Sequence, residues 1–293
     1  MNTRFCGLIL IGMIMLFQTS FAVEKTAHNI IVPKTNPIFS GLHTLSIHVR
    51  DTITHNSIYR FLVDKLKLPV YYFPVASGNR KYAGVYAGNL ILEPCGPYTE
   101  YLYASGSANA LFFGLTFEPF ESLTLAAKDL SERNIDHKVM GREYIYFTDS
   151  SLCRDNITIT LMGDGDKTVG KNRKIDSLRY VMAKDTQNEL GIEYVKEIRI
   201  GYKSEPNLEK WKELISPAEL RENKIWEESN LLQFYFIKSD KKEVQSITFK
   251  VRSMQKAKGY LLKNNLIGSF IDNKIELDRV QTFGLSIFIT EKD

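Results

Sequence analysis

Two stretches, FFGLTFEPFESLTLAAKDL (112–130) and SITFKVRSMQKAKGYLL (246–262), share one pattern that decides the fold. Each begins with strand-type apolar residues and continues into a segment whose apolar positions recur at helical spacing. When Phe117 is placed on Val251, strand falls on strand and helix on helix. The identity between the two stretches is weak, but the order of elements is the same. This agreement predicts an internal duplication.

Similar elements precede and follow each stretch. In the first half, a strand at 42–49 leads to an amphipathic helix that ends before Pro69, and short strands follow up to residue 93. In the second half, a strand at 194–202 leads to a helix around Trp211 and then to further strands. The repeated order predicts four units that each combine strands with one helix, two units in each half of the chain.

The composition of the chain also changes along its length. The region between the two halves is polar and rich in turn-forming residues, as is typical of a linker. The predicted organisation is a signal peptide (1–22), an extended lead-in (23–40), a first module (41–163), a linker (164–190) and a second module (191–293).

The first residues, MNTRFCGLILIGMIMLFQTSFA, have the layout of a cleavable export signal. Basic Arg4 is followed by an apolar run from Leu8 to Phe17 and by small residues up to Ala22, after which we expect cleavage. The apolar run is shorter than the ~20 residues that a spanning helix needs, so a retained anchor is the weaker alternative. We expect an exported protein, periplasmic or extracellular, without stable membrane insertion after cleavage.

Charge and cysteine content narrow the functional classes. The 293 residues carry a formal net charge of only +4, with Lys and Arg interleaved with Asp and Glu. No basic patch of the kind that binds nucleic acid is predicted. After signal removal Cys95 and Cys153 remain, and the sequence leaves their pairing open because a disulfide needs Cα atoms within about 7 Å.

Five segments together carry a resemblance to a known superfamily. They are THNSIYRFLVDKLKLP (54–69), YAGNLILEP (86–94), FTDSSLCRDNITITL (147–161), ITFKVRSMQKAKGYL (247–261) and IELDRVQTFGLSIFI (275–289). Their order resembles the vicinal oxygen chelate superfamily of glyoxalases, bleomycin-resistance proteins and extradiol dioxygenases. The resemblance implies an α+β fold in which tandem βαβββ units form two glyoxalase-like modules with half-open curved sheets. It covers nearly all of the mature chain.

The resemblance also implies where a metal would lie. In that superfamily a divalent metal sits in the cup of the sheet on His, Glu or Gln side chains. The first ligand position falls on Thr44 and the second on Phe112, and an aromatic ring supplies no lone pair to a hard cation. In the second module the equivalent positions fall on Glu197 and Ser246. We therefore expect no metal cofactor, with a divalent metal as the alternative.

Two histidines lie close to these positions. His43 and His48 are five residues apart, so a regular strand turns them to opposite faces. The resemblance places His48 on the inner face of the cup and His43 on the other face. A one-residue bulge would bring His43 inward, and the metal alternative depends on such a bulge.

Polar and aromatic side chains give the first cup the character of a small-molecule pocket. His48 beside Glu93 could act as a general base with an oriented partner. The register of this strand is open, because Leu90 and Leu92 could face inward in place of Asn89 and Glu93. The residues expected to bind the ligand are Thr44, Arg50, Asn89, Phe112 and Tyr146.

Three functional hypotheses follow. The first is an exported, metal-free protein that binds a small aromatic or amphipathic molecule in the cup of the first module. The second is a metal-dependent lyase, isomerase or dioxygenase of the same superfamily. The third is a structural or interaction module of the cell envelope. The expected partner is a small-molecule ligand, and the sequence leaves open both catalysis and a homodimer.

Overall fold

The computed structural model describes residues 36–97, 109–153, 155–163, 182, 188–220, 224–227 and 232–292. The predicted signal peptide and nearly all of the predicted linker lie outside the described residues. Among the helices that the structure describes, none has the length and apolar character needed to cross a bilayer.

The first module is one curved sheet of eight strands with helices on one face. Its strands are β1 (Phe39–Val49), β2 (Val70–Ser77), β3 (Arg80–Tyr86), β4 (Ile91–Gly96), β5 (Ala110–Pro119), β6 (His137–Met140), β7 (Tyr144–Phe147) and β8 (Thr158–Met162). The strand order across the sheet is β2-β3-β4-β1-β5-β8-β7-β6. Long β1 and β5 form its antiparallel centre, and each has a parallel neighbour, β4 or β8.

The described strands of the second module repeat this arrangement. They are β9 (Ile192–Tyr202), β10 (Lys224–Glu227), β11 (Leu232–Lys238), β12 (Glu243–Val251), β13 (Ile267–Ile271), β14 (Lys274–Leu277) and β15 (Ile287–Thr290). Their order is β10-β11-β9-β12-β15-β14-β13, with antiparallel β9 and β12 at the centre. The predicted α+β fold with two modules of duplicated units is confirmed.

Four helices within the described residues cover the outer faces of the sheets. They are α1 (Thr52–Arg60), which continues as a π-helical turn over Phe61–Lys65, α2 (Leu123–Glu132), α3 (Glu205–Ile215) and α4 (Met254–Lys263). In the two aligned stretches, α2 and α4 both begin after a serine N-cap, Ser122 and Ser253, whose hydroxyl accepts a backbone hydrogen bond. Because the helices take the apolar face of each sheet, the opposite, concave face is left for polar residues.

Two edge strands, β6 and β13, were not predicted from the sequence. Both are short and largely exposed, so neither has the alternation of apolar and polar residues that indicates a half-buried strand. Phe120, within the first aligned stretch, precedes helix α2 and is exposed. These differences concern the edges, and the predicted centre of each sheet is correct.

The two modules are joined by specific backbone contacts. Asn89 is fully buried, and its side-chain amide both donates to the carbonyl oxygen of Val195 (2.8 Å) and accepts from the Val195 N–H (3.0 Å). Gly88, at φ +88°, lies so close to β9 that an added Cβ would be 2.1 Å from the carbonyl oxygen of Glu193. Both the positive φ and the close approach therefore require glycine here. Lys242 adds hydrogen bonds from its buried ammonium to the carbonyl oxygens of residues 150 and 153.

Candidate functional site

A cavity of about 590 Å³ occupies the concave face of the first sheet, and we call it the first cavity. All of its lining residues belong to the first module. They are His43, Thr44, Ser46, His48, Tyr71, Tyr72, Arg80, Tyr82, Ile91, Glu93, Cys95, Gly114, Thr116, Tyr144, Tyr146, Thr158, Thr160 and Met162. Its size is that of a small-molecule pocket.

The floor of the first cavity is a grid of hydroxyl groups set by strand register. Thr44 on β1 pairs with Thr116 on β5, which pairs in turn with Thr160 on β8. Residues directly opposite each other in paired strands point to the same face, so the three hydroxyls form one row across the sheet. The hydroxyls of Thr116 and Thr160 are 2.9 Å apart and hydrogen-bonded.

A second row contains the main acidic group of the cavity. Glu93 pairs with Ser46, whose hydroxyl donates to Glu93 Oε2 (3.3 Å), while the Tyr72 hydroxyl donates to Glu93 Oε1 (2.5 Å). Burial raises the pKa of Glu93, and the two hydrogen bonds oppose that rise. Gly84 makes room for this arrangement, because a Cβ there would be 2.5 Å from the Tyr72 ring.

His48 lines the cavity but is a weak base. A β-bulge on β5 explains the surroundings of His48. Between the pairs that Gly114 and Phe112 form with β1, strand β5 has one residue more than β1, and this extra residue is Phe113. The Phe113 ring stacks on the imidazole of His48, with centroids 4.0 Å apart. Burial, and then the charge of Arg80, lower the pKa of His48 to about 3. The imidazole is therefore neutral at pH 7.

His43 faces the cavity because β1 also has a bulge. Between the pairs that Leu42 and Thr44 form with β5, strand β1 has one residue more than β5, and this extra residue is His43. His43 Nδ1 is 2.7 Å from the Thr44 hydroxyl, and Nε2 is 3.9 Å from a carboxylate oxygen of buried Glu118. The prediction that His43 faces away from the cup is wrong, and the bulge named as the alternative is present.

The donors around the cavity do not fit a divalent metal of the superfamily type. Such catalytic sites usually need about three protein ligands that converge on one point. Across the described ranges, no three His, Cys, Asp or Glu side chains are placed to hold one ion. His43 has one acidic neighbour, and the oxygens of Glu93 accept hydrogen bonds from two hydroxyls. The position opposite Thr44 is another threonine, Thr116, whose neutral hydroxyl is a weak ligand.

The structure brings four of the predicted site residues together in the cavity and places three elsewhere. Thr44, His48, Glu93 and Tyr146 line the first cavity. No hydrogen bond joins His48 to Glu93 among the described contacts, and their strand partners differ. Glu93 lines the cavity, whereas Leu90 and Leu92 do not. Of the two registers considered for this strand, the one that turns Glu93 inward is therefore correct.

The placement of Arg50, Asn89 and Phe112 in the cup is wrong. Arg50 is exposed in the turn between β1 and α1, next to Asp51, which caps the helix by accepting from the Thr54 N–H. The amide of Asn89 is used in the contact with the second module. The Phe113 bulge turns Phe112 out of the cup, and its ring lies in the apolar core.

Several cavity residues were missed by the sequence analysis. Thr116, Thr158 and Thr160 alternate with buried apolar residues, and this alternation was the available signal for the inner face. Arg80 follows a hairpin turn and gave no signal, since its place depends on the fold of β2 and β3. Cys95 and Cys153 are free and buried, with Cys95 in the first cavity and Cys153 near the second module.

The equivalent concave face of the second sheet is crossed by ion pairs. Glu197 is buried and is bound by Lys274 Nζ (3.0 Å) and by Arg199 Nε (2.7 Å). Burial alone would raise the pKa of Glu197, but these two cations outweigh burial and lower it. Glu197 is therefore a carboxylate that protein cations already neutralise.

Solved structures of low sequence identity share this fold. Homoprotocatechuate 2,3-dioxygenase from Brevibacterium fuscum, as a variant, aligns with a TM-score of 0.57 at 11% identity, covering 89% of this chain and 74% of that one. A mutant of 4-hydroxymandelate synthase from Streptomyces coelicolor gives 0.55 at 11%, covering 86% and 92%. The 2,3-dioxygenase LapB from Pseudomonas sp. KL28 gives 0.53 at 12%, with the same coverage. No protein-family model and no curated protein matches the chain.

These solved structures establish the fold of the chain. The chain has the two-module fold of the vicinal oxygen chelate superfamily, as found in extradiol dioxygenases. The resemblance predicted from the sequence is confirmed at the level of the fold.

Proposed function

We propose that this protein binds a small aromatic or amphipathic molecule in the first cavity without a catalytic divalent metal. The observation that carries the proposal is an open cavity of about 590 Å³ whose floor is hydroxyl-lined and whose donors, among the residues that the structure describes, form no three-ligand metal set. Five tyrosines line it, of which Tyr71 and Tyr146 are about half exposed and offer ring faces to an incoming ligand.

The distribution of polar and apolar groups supports an amphipathic ligand. The buried floor presents hydroxyls of Thr44, Thr116 and Thr160, which can both donate and accept. Val75 and Met140 lie on the concave side of the edge strands, because they pair with the cavity residues Tyr82 and Tyr144. Both side chains are exposed and apolar. A ligand with one hydroxylated end and one apolar end matches this gradient.

If the cavity also supports proton transfer, Glu93 is the group suited to it. Burial shifts the pKa of Glu93 upward, in the direction of neutral pH, which favours proton transfer by this carboxyl. The His48 pKa of about 3 makes the imidazole a poor proton acceptor. This reverses the roles assigned to the two residues from the sequence, in which His48 was the base and Glu93 its partner.

Metal-dependent oxygenase chemistry is the second candidate, and one observation favours it. The bulge on β1 turns His43 toward the cavity, with Glu118 close by, and the solved structures that share the fold are dioxygenases and a synthase by name. This candidate requires a third ligand, which the described side chains do not supply. The envelope-module hypothesis is less well supported, because it predicts a shallow or filled cup.

A fragment screen tests the proposal. Ligand-observed NMR with a library of aromatic fragments and 3,4-dihydroxyphenylacetate, in buffer with EDTA, should give binders that Thr160→Trp abolishes by filling the cavity. Thr124→Trp, the same change at an exposed position of α2, is the matched control and should retain them. A folded protein that binds no fragment, or binds them equally with Thr160→Trp, would refute the proposal.

We further propose export, since the amino-terminal segment has the layout of a cleavable signal.

A further inference from the structure

A second cavity of about 450 Å³ lies between the two modules, and we call it the inter-module cavity. One wall is the start of β5 with Asn156, and the other is the concave face of the second sheet. Ser246 pairs with Arg199 across β12 and β9, which places both side chains on that face. Ser286, on the same wall, is buried and polar.

Among the described residues that line the inter-module cavity, the charged side chains are mostly cationic. Arg199, Arg279 and Lys241 line it, against a single acidic lining residue, Glu243, whose carboxylate accepts a long hydrogen bond from Asn156 (3.4 Å). None of these cations belongs to the first cavity, where Arg80 is the sole Lys or Arg among the described lining residues. The two cavities therefore differ in the ligand charge that they favour.

Each of the two arginines is held in place by a hydrogen bond to its own glutamate. Arg199 Nε donates to Glu197 Oε1 (2.7 Å), and Arg279 Nε donates to Glu276 Oε1 (2.9 Å). Arg279 Nη2 also donates to the Ser286 hydroxyl (3.1 Å). A guanidinium has five N–H donors in a planar fork, so an Nε contact fixes the plane and leaves terminal N–H groups for a ligand. The ring of Tyr235 lies 5.8 Å from the Arg199 guanidinium carbon and limits its movement further.

The glutamates do not cancel this preference for an anion. Glu197 is shared between Arg199 and Lys274, and Glu276 also accepts hydrogen bonds from Ser269 and Ser286. Neither glutamate lines the inter-module cavity, so an entering ligand meets the guanidinium groups rather than the carboxylates. Oriented arginine forks of this kind match the paired oxygens of phosphate and carboxylate.

We propose that the inter-module cavity is a binding site for a small molecule carrying a phosphate or carboxylate group, held by Arg199 and Arg279. The Ser246 hydroxyl completes the site as a donor, while the Ser286 hydroxyl, which donates to Glu276 and accepts from Arg279, holds that arginine in place. Because Asn156 and β5 form the opposite wall, a bound anion contacts both modules.

Isothermal titration calorimetry of the full-length protein at low ionic strength tests this proposal, since salt screens exposed charges. Inorganic phosphate and succinate are the two probes, and they separate a phosphate site from a carboxylate site. We expect saturable binding of at least one of them. Arg199→Ala and Arg279→Ala should each weaken it about ten-fold or more, because each removes a charge-assisted hydrogen bond. Arg279→Lys, which keeps the charge and loses the fork, should give a smaller loss.

Two control variants make the result specific. Arg252→Ala removes an exposed arginine of the second module outside the cavity and should bind as wild type does. Arg80→Ala removes the cation of the first cavity and should do the same. Absence of saturable binding of either probe to folded wild-type protein overturns the proposal. Binding that survives Arg199→Ala, Arg279→Ala and Arg279→Lys, or that is lost only with Arg80→Ala, also overturns it.

Discussion

The hydrogen bond from Tyr72 to Glu93 allows a quantitative test of the first cavity. Tyr72→Phe removes the hydroxyl that donates to Glu93 Oε1 at 2.5 Å and leaves the carboxyl with the longer contact from Ser46. Hydrogen bonds to charged groups contribute about 1.5–3 kcal/mol. Tyr72 is only half-buried, so water partly replaces its hydroxyl, and we expect a loss of about 1.5 kcal/mol in the free energy of unfolding at neutral pH.

The loss should depend on pH in a defined direction. Burial raises the folded-state pKa of Glu93 above the ordinary 4.5, and the Tyr72 hydrogen bond limits that rise. A carboxyl with a raised folded-state pKa stabilises the fold fully below its unfolded pKa and loses that contribution as pH rises through the folded value. Tyr72→Phe raises the pKa of Glu93 further, so its cost should be larger at pH 8 than at pH 4.

Urea denaturation of both proteins at the two pH values measures this difference, with an unchanged m-value as the sign of comparable unfolding. Tyr86→Phe is the matched control, because the Tyr86 hydroxyl has no hydrogen-bond acceptor within the described residues. Gly84→Ala should cost at least as much, since its Cβ displaces the Tyr72 ring and with it the hydroxyl. A Tyr72→Phe cost below about 0.5 kcal/mol, or one that does not change with pH, would refute the account of Glu93.

Three further predictions concern separate features. Because the pKa of His48 is lowered to about 3, stability should fall as pH decreases below 6.5, and His48→Phe should reduce that slope by up to one proton, measured by urea denaturation between pH 4 and 7. Asn89→Ala should cost about 1–3 kcal/mol of unfolding free energy, because the Val195 carbonyl loses its Asn89 donor and the Val195 N–H keeps only the longer contact to the Ala87 carbonyl oxygen (3.2 Å), while fragment binding to the folded variant stays unchanged. Amino-terminal sequencing of the protein recovered from the exported fraction should begin at Val23, whereas a start at Met1 would contradict signal cleavage and absence of the protein from that fraction would contradict export.

The fold could be predicted from the sequence because its centre repeats. Strands β1, β5, β9 and β12 are long and apolar, and each is followed by a helix with regular spacing. A repeated order of elements constrains the answer more strongly than any one segment does. The short edge strands β6 and β13 were missed because their exposed side chains carry no periodic signal.

The candidate site was predicted less completely because bulges decide which side chains enter the cavity. The bulge at His43 turns the His43 side chain into the cup. The bulge at Phe113 turns Phe112 out of it. The sequence could suggest such a bulge but could not locate it. Asn89 was assigned to the cup for a related reason, since its partner Val195 is 106 residues away in sequence. Contacts of that range depend on how the modules pack.

The central claim is that the first cavity works without a divalent metal, and elemental analysis tests it most directly. The protein should be purified without chelator, incubated in turn with Fe(II), Mn(II) and Zn(II), desalted and analysed for metal per chain. We predict far less than one equivalent of each, with the same result for His43→Ala. Close to one equivalent of a single metal, lost on His43→Ala, would contradict the account and assign the cavity to metal-dependent chemistry.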